Sequence, residues 1–241
     1  MERTEWLKRI QETVEGLYDH IAPEYWVKYG FYGNETQLEY LQKFLKRVPP
    51  QSVLLSAACG AGRYDGVLLE AGHNVVGTDQ SAGMLARAKE HFPAIRYEKI
   101  ALQEMDFHEE FDGATCMDAM EHVFPEDWQN ILRRFHTALK PGGFLYLTVE
   151  LPDTDLNASY ERAKAMGLPV VFGELADVVE SSYERLKKFA PFEAPDELAG
   201  EVAYHYYPSL EQVRTWLEEA GFVVDEEGTG NGYEHFIVRK R

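Results

Sequence analysis

Apolar positions along the chain follow two alternating patterns. Short apolar runs suited to strands buried on both faces occupy Ser52–Ala57, Asn74–Thr78, Ile95–Ile100, Gly113–Met117 and Phe144–Val149. Between them apolar residues recur at helical spacing. The clearest case is Glu126–Leu139, where Trp128, Ile131, Leu132, Phe135 and Leu139 fall three and four residues apart and "KPGG" at Lys140–Gly143 ends the pattern. Alternation of this kind predicts an α/β fold, a doubly wound and mostly parallel sheet with helices on both faces.

The pattern changes near Leu151. From Leu151 to Tyr207 the chain reads as helical and acidic, is broken by Pro152, Pro169, Pro191 and Pro195, and still carries Leu175, Val178, Val179 and Leu186 at helical spacing. An inserted helical cap fits this better than a linker. Ser209 then opens a helix, with Gln212 placed for a capping box and Leu210, Val213, Leu217 and Ala220 on one stripe that stops at Gly221. Two last strands, Phe222–Glu226 and His235–Arg239, are joined by "GTGNGY" and should pair antiparallel at the sheet edge.

A chain of 241 residues with 45% hydrophobic content suffices for one such domain with a sizeable core. Its expected parts are an N-terminal lid and helices over 1–48, a ligand-binding half over 49–150, the cap over 151–207, and a C-terminal helix with two edge strands over 208–241.

Charge narrows the partners. A formal net charge of −17, from 24 basic against 41 acidic residues, repels phosphate backbones and anionic membrane surfaces. The expectation is therefore a small-molecule substrate, with no nucleic acid and no membrane. Only two cysteines, Cys59 and Cys116, stand in apolar stretches without paired spacing, which argues against a disulfide framework or a cysteine zinc site. With no apolar signal core at the N-terminus and no run long enough to span a bilayer, a cytoplasmic location is expected.

The stretch "LLSAACGAGRYDGVLLEAGHNVVGTDQS", Leu54 to Ser81, carries the chemistry. Gly60 and Gly62 follow the first strand, where missing side chains let a ligand approach the backbone. Asp79 ends the second strand, where an acid can accept hydrogen bonds from two ribose hydroxyls. Strand, glycine turn, helix, strand and acid in that order describe an adenosine pocket.

Over most of its length the chain resembles the class I S-adenosylmethionine-dependent methyltransferases, of the small-molecule type. The resemblance rests on "VLLSAACGAG" with Asp79, "FDGATCMDAMEHV" from Phe111, "LKPGGFLYLTVE" from Leu139 and "YPSLEQVRTWLEEAGF" from Tyr207. It implies a Rossmann-like seven-stranded sheet with one reversed edge strand. It also implies S-adenosylmethionine as cofactor and S-adenosylhomocysteine as product. Carried onto this chain, the cofactor-binding positions are Tyr18, Tyr25, Ser56, Ala58, Gly60, Gly62, Asp79, Gln80, Leu102, Gln103 and Met117, with Leu102 and Gln103 beside the adenine. The sequence departs from the family at three points. Ser56 stands where an acid is usual, Ala58 replaces the first glycine of the motif, and Ala101 replaces an acid after the third strand.

Methyl transfer needs in-line alignment, exclusion of water and, for a hydroxyl nucleophile, a proton acceptor. Asp118, Glu121 and His122 in "DAMEHV" are the candidates, and they would share one face if the chain turns helical there. His205 in the cap is a fourth. The acid-x-x-Glu-His spacing also resembles a metal site of some RNA 2′-O-methyltransferases and quinone-ring O-methyltransferases, although magnesium prefers oxygen ligands and no metal is expected.

Tyr18, Tyr25, Trp26, Tyr29, Phe31 and Tyr32 before the first strand, with Tyr204–Tyr207 in the cap, suggest a partly apolar acceptor. Transfer to a nitrogen or oxygen atom of a small molecule is the expected activity. A nicotinamide oxidoreductase, a catalytically silent adenosyl-ligand binder and a metal-dependent RNA 2′-O-methyltransferase remain as alternatives. Against the first, Asp65 stands at the third glycine of the dinucleotide fingerprint.

Overall fold

The structure is a computed structural model and describes residues 3–30, 35–152, 170–175 and 202–241. Helix α1 (Arg3–Tyr25) opens the chain and runs into a short π-helical turn, Trp26–Gly30; α2 (Glu35–Leu45) follows. Strand β1 (Val53–Ala57), α3 (Asp65–Glu70), β2 (Asn74–Asp79), α4 (Ala82–His91) and β3 (Arg96–Lys99) make the first half of the sheet. The second half contains β4 (Phe111–Cys116), α5 (Pro125–Ala138) and β5 (Leu139–Glu150). Within the segment 151–207 lie β6 (Val170–Leu175) and β7 (Val202–Tyr207), and the chain ends with α6 (Leu210–Glu219), β8 (Phe222–Gly230) and β9 (Tyr233–Lys240).

The main sheet is seven-stranded, in the order β3-β2-β1-β4-β5-β9-β8. Strands β1 to β5 are mutually parallel, while β9 runs antiparallel to both β5 and β8. The reversed strand therefore sits one place in from the edge, not at the edge. Asn231 (φ 51°) and Gly232 (φ 80°) alone separate the pair Gly230 and Tyr233, the two-residue turn that matches strand twist when both central residues take positive φ.

Apolar side chains alternate to both faces of the central strands. On one face Leu55, Ala114, Leu145 and Leu147 pack with Ile10 and Val14 of α1 and with Trp128, Ile131, Leu132 and Phe135 of α5. On the other, Leu54, Tyr146 and Ile237 pack with Tyr40, Leu41 and Phe44 of α2. The α5 stripe is fully buried, each large side chain contributing about 1.5–3 kcal/mol, and Pro125 at the first turn starts the helix where no backbone N–H is needed.

Segment 151–207 departs from its helical reading where it is described. β6 and β7 form a separate two-stranded parallel sheet, so Leu175 lies on a strand. Helical spacing at Leu175 misleads because the strand partner is distant in sequence. Val178, Val179, Leu186, Phe31 and Tyr32 lie outside the described residues. β7 packs against α1 and against the chain just beyond β4.

From β1 the chain moves outward through β2 to β3, then returns to place β4 on the other side of β1. The loops leaving β1 and β4 part there, opening a crevice at the carboxyl ends of the strands.

Candidate active site

The turn leaving β1 bends through left-handed backbone at Ala58 (φ 48°), Gly60 (φ 55°) and Gly62 (φ 79°). Glycine takes this conformation freely, whereas Ala58 carries a strain of about 1 kcal/mol. At Gly62 an added Cβ would stand 3.1 Å from Asp65 Oδ2 and 3.2 Å from both Phe92 and Tyr97, so the position is closed from beneath. The Trp26 indole N–H donates to the Ala61 carbonyl at 3.0 Å and ties the turn to the N-terminal segment.

Asp79 closes the other side of this turn. The Gly60 N–H donates to its Oδ2 and the Ser81 N–H to its Oδ1, each at 2.8 Å. Burial nevertheless raises its carboxyl to about 6, against the lowering effect of those two N–H groups. Ser81 caps α4 by accepting from Met84 N–H at 3.0 Å, and its hydroxyl donates to Asp19 of α1 at 2.6 Å. Asp19 also accepts from the Gly83 N–H at 2.8 Å. Although burial works the other way, these donors hold its carboxyl below the ordinary value.

A second acid lies behind the turn. Asp65, the first residue of α3 and 1% exposed, accepts from Ser56 Oγ at 2.6 Å and from Tyr97 OH at 2.8 Å. Burial pushes this carboxyl up to about 6, with Asp79 adding to the rise and the two hydroxyls opposing it. Cys59 and Tyr97 stand beside it, both raised chiefly by burial.

On the opposite wall β4 ends at Cys116, and Asp118 turns into left-handed backbone (φ 51°) while its N–H donates to Thr148 Oγ1 at 2.8 Å. Its carboxylate pairs with Arg63 and accepts from Tyr64 OH and Gln37 Nε2, each at 3.0 Å. The Arg63 guanidinium lies 4.6 Å from the centre of the Tyr64 ring. Met120–His122 then form a single 3-10 turn. His122 Nε2 lies 2.7 Å from Tyr18 OH, and the His122 ring meets that of His205 edge-on at 4.7 Å. His205 Nδ1 forms an ion-pair contact with Glu150 of β5. Burial holds the Tyr18 phenol well above its ordinary value, so it stays neutral at physiological pH. Glu121 is 4% exposed, and its Oε2 has no hydrogen-bond partner among the described residues. Burial raises its carboxyl, and the charges of Glu150 and Asp118 raise it further.

Between these walls lies a cleft with an empty volume of about 1080 Å³, its mouth included. Tyr18, Tyr25, Ser56, Ala58, Gly60, Asp79, Gln80, Leu102, Gln103 and Met117 all line it. Gly62 does not, being packed beneath the turn. Of the candidate proton acceptors, Asp118 and His122 line the cleft, while Glu121 and His205 lie behind it. The expectation that Asp118, Glu121 and His122 share one helical face is not met. A single 3-10 turn is too short to stack them, and the left-handed backbone at Asp118 sends its carboxylate to Arg63. Among the described residues no three histidine, cysteine or acidic side chains are placed to hold a metal ion.

Sequence reasoning gave no site role to Arg63, Tyr64, Asp65, Gln37 or Glu150. One signal was available for Asp65, an acid on the first turn of a helix whose other inward positions are apolar.

The cleft fits an S-adenosyl nucleoside on three observations. The acid at the end of β2 is oriented by backbone donors, Gly60 of the turn has nothing within 4 Å of where a Cβ would stand, and the walls beside Leu102 and Met117 are apolar.

Residues 54–143 match a family described as "Methyltransferase domain". The ubiquinone biosynthesis O-methyltransferase of Ralstonia nicotianae is 31% identical over 153 residues, 61% of this chain and 59% of that protein. That of Hydrogenovibrio crunogenus is 27% identical over 155 residues, 60% of each chain. The chain thus spans about 60% of the length of these curated relatives. Among solved structures, 1,6-didemethyltoxoflavin-N1-methyltransferase of Burkholderia thailandensis, with bound 1,6-didemethyltoxoflavin and S-adenosylhomocysteine, superposes with a TM-score of 0.60. That likeness holds at 19% identity and covers 96% of this chain and 90% of the other. The domain match spans the glycine turn, Asp79 and β4, so residues 54–143 are a methyltransferase domain, and the fold around them is that of a solved methyltransferase holding S-adenosylhomocysteine.

Proposed function

We propose that the protein transfers the methyl group of S-adenosylmethionine to a nitrogen or oxygen atom of a small, partly apolar molecule by in-line displacement. The observation that carries the reading is a single cleft with an oriented acid, Asp79, at one end and a histidine bonded to a neutral phenol, His122 with Tyr18, at the other.

The cofactor, when bound, supplies a methyl group already activated by a sulfonium. To hold it, Asp79 would accept hydrogen bonds from the ribose hydroxyls, Gly60 and Ala58 would let the backbone approach, and Leu102 and Gln103 would flank the adenine. Ser56, Gln80 and Met117 complete that wall, while Tyr18 and Tyr25 close the cleft from α1. An acceptor hydroxyl or amine that displaces the Tyr18 hydroxyl from His122 Nε2 would give up its proton to that nitrogen as its bond to the methyl carbon forms and the sulfur–methyl bond breaks, the electron pair leaving with the sulfur as a neutral thioether. His205 and Glu150 stand behind His122 and fix its ring. Asp118, held by Arg63, shapes the acceptor's side.

In this reading residues 1–48 form a lid and residues 151–207 a cap on one domain that acts in the reducing cytosol, a location supported by two free cysteines. No helix among the described residues is long and apolar enough to cross a membrane. The names of the relatives, one acting in ubiquinone biosynthesis and one holding a small heterocycle, support a small-molecule acceptor.

Isothermal titration with S-adenosylmethionine and S-adenosylhomocysteine tests the reading, with NADH as control and a panel of phenols and amines for turnover. A dissociation constant of about 1–100 μM for both adenosyl ligands, with no heat from NADH, is expected. Binding of NADH alone would assign the cleft to hydride chemistry. Tight adenosyl binding without turnover on any acceptor would leave a binding protein.

A further inference from the structure

The amino-acid end of an S-adenosyl ligand carries an ammonium group, which leaves water only where an anion meets it. Three aspartates line the cleft, and they are not equivalent. Asp118 already has a cation, Arg63, and two further donors. Asp79 sits at the tip of β2 between two backbone N–H groups, in the place that faces the ribose. Asp65 is left with two neutral hydroxyl donors, Ser56 and Tyr97, and among the described residues no cation pairs with it. It also touches β1 directly, through the Ser56 side chain.

We propose that Asp65, oriented by Ser56 and Tyr97, supplies the negative charge that holds the ammonium of the cofactor's amino-acid end. The proposal rests on the S-adenosyl reading of the cleft. A carboxylate with two acceptor oxygens has lone pairs to spare after accepting one bond at each, so the ligand adds a charged partner without displacing either hydroxyl. The arrangement also gives Ser56 a purpose. A second carboxylate at that position would face Asp65 across 2.6 Å, the present distance from the Ser56 hydroxyl, and only one of the two could ionise. The carboxylate beside Ser56 thus comes from the first turn of α3 and not from the strand. The other titratable groups facing Asp65 are Asp79 from β2, Cys59 from the glycine turn and Tyr97 from β3.

The test compares S-adenosylhomocysteine with 5′-methylthioadenosine, which keeps the adenosine and the sulfur but lacks the amino-acid chain. Asp65→Asn should weaken S-adenosylhomocysteine at least tenfold in titration calorimetry and change methylthioadenosine by less than threefold. Equal weakening of both ligands would make Asp65 a structural residue, and no weakening of either would overturn the proposal too. Should the variant fail to fold, the wild-type protein decides. The ratio of the two affinities should fall several-fold in favour of methylthioadenosine as pH drops from 7 to 5, because Asp79 acts on both ligands and cancels. A ratio constant with pH overturns the proposal. If the wild type binds neither nucleoside, the S-adenosyl reading itself has failed.

Discussion

The two ends of the cleft are built differently. At the β1 and β2 end Asp79 is held by backbone donors, Gly60 and Ser81, while Asp65 behind the turn relies on side-chain hydroxyls, those of Ser56 and Tyr97. At the β4 and β5 end the polar groups are satisfied by side chains brought from far along the chain. Tyr18 meets His122, Gln37 and Arg63 meet Asp118, His205 meets Glu150, and Glu121 Oε2 is left over among the described residues. Backbone donors are fixed by the fold and reorganise little when charge develops, whereas a chain of side chains can exchange partners. The first end suits a constant ligand and the second a group that must take and release a proton.

The sharpest break in this contrast is expected at His122. His122→Ala should lower turnover about 100-fold while adenosyl affinity stays within about twofold. Steady-state kinetics with separate titrations checks both, and full activity would clear His122 of any chemical role. Next comes acid-base linkage at the other end. Asp65 and Asp79 are both near 6 in the folded protein, above the unfolded value of about 3.9. The native state therefore holds protons that the unfolded chain has released between about pH 4 and 6. Their stabilising contribution is complete below pH 4 and lost as pH rises through 6, roughly 2–3 kcal/mol for Asp65 as an upper bound. Denaturant unfolding of the free wild type and Asp65→Asn at pH 4.5 and 7 should show a difference of that sign. Histidines whose values are lowered by burial, His73, His136 and His235, cancel in the comparison.

Asp79→Ala should weaken adenosyl binding by about 1–3 kcal/mol, because it strips charged hydrogen bonds from buried hydroxyls. Unchanged affinity removes Asp79 from the ribose. A smaller effect is expected at Glu121, where Glu121→Gln removes a buried carboxyl whose ionisation is opposed by burial and by Glu150 and Asp118, and should raise stability by about 1 kcal/mol at a pH high enough to ionise it. A loss of more than 2 kcal/mol would mean that its charge is compensated. Smallest is Ala58→Gly, which relieves left-handed strain but adds freedom to the unfolded chain, for a net gain of about 0.5 kcal/mol in thermal unfolding.

The same contrast sorts what was legible in the sequence. Strands β1 to β5, the glycine turn and Asp79 are local patterns, since period, turn residues and one acid suffice to find them. The Asn231-Gly232 hairpin was equally plain. Neither the Ser56, Asp65 and Tyr97 triad nor the pairing of Arg63 with Asp118 could be read, because each partner comes from a different element and polar residues give no periodic signal. Spacing put Asp118, Glu121 and His122 on one face only if a helix followed, and left-handed backbone at a non-glycine residue is invisible in a pattern of apolar positions. For β6 and β7 the partner strand is fixed by tertiary pairing that no window of sequence contains.

Asp19 on α1 holds the start of α4 through Ser81 and Gly83, and Ser81 in turn holds Asp79, so an unbroken line of hydrogen bonds runs from the N-terminal helix to Asp79, the proposed ribose acceptor. A nucleoside seated behind that line can leave quickly only if the helix shifts with it. Cutting the line at Asp19 would then show less in how fast the ligand arrives than in how long it stays, which is where most differences in affinity among related complexes reside.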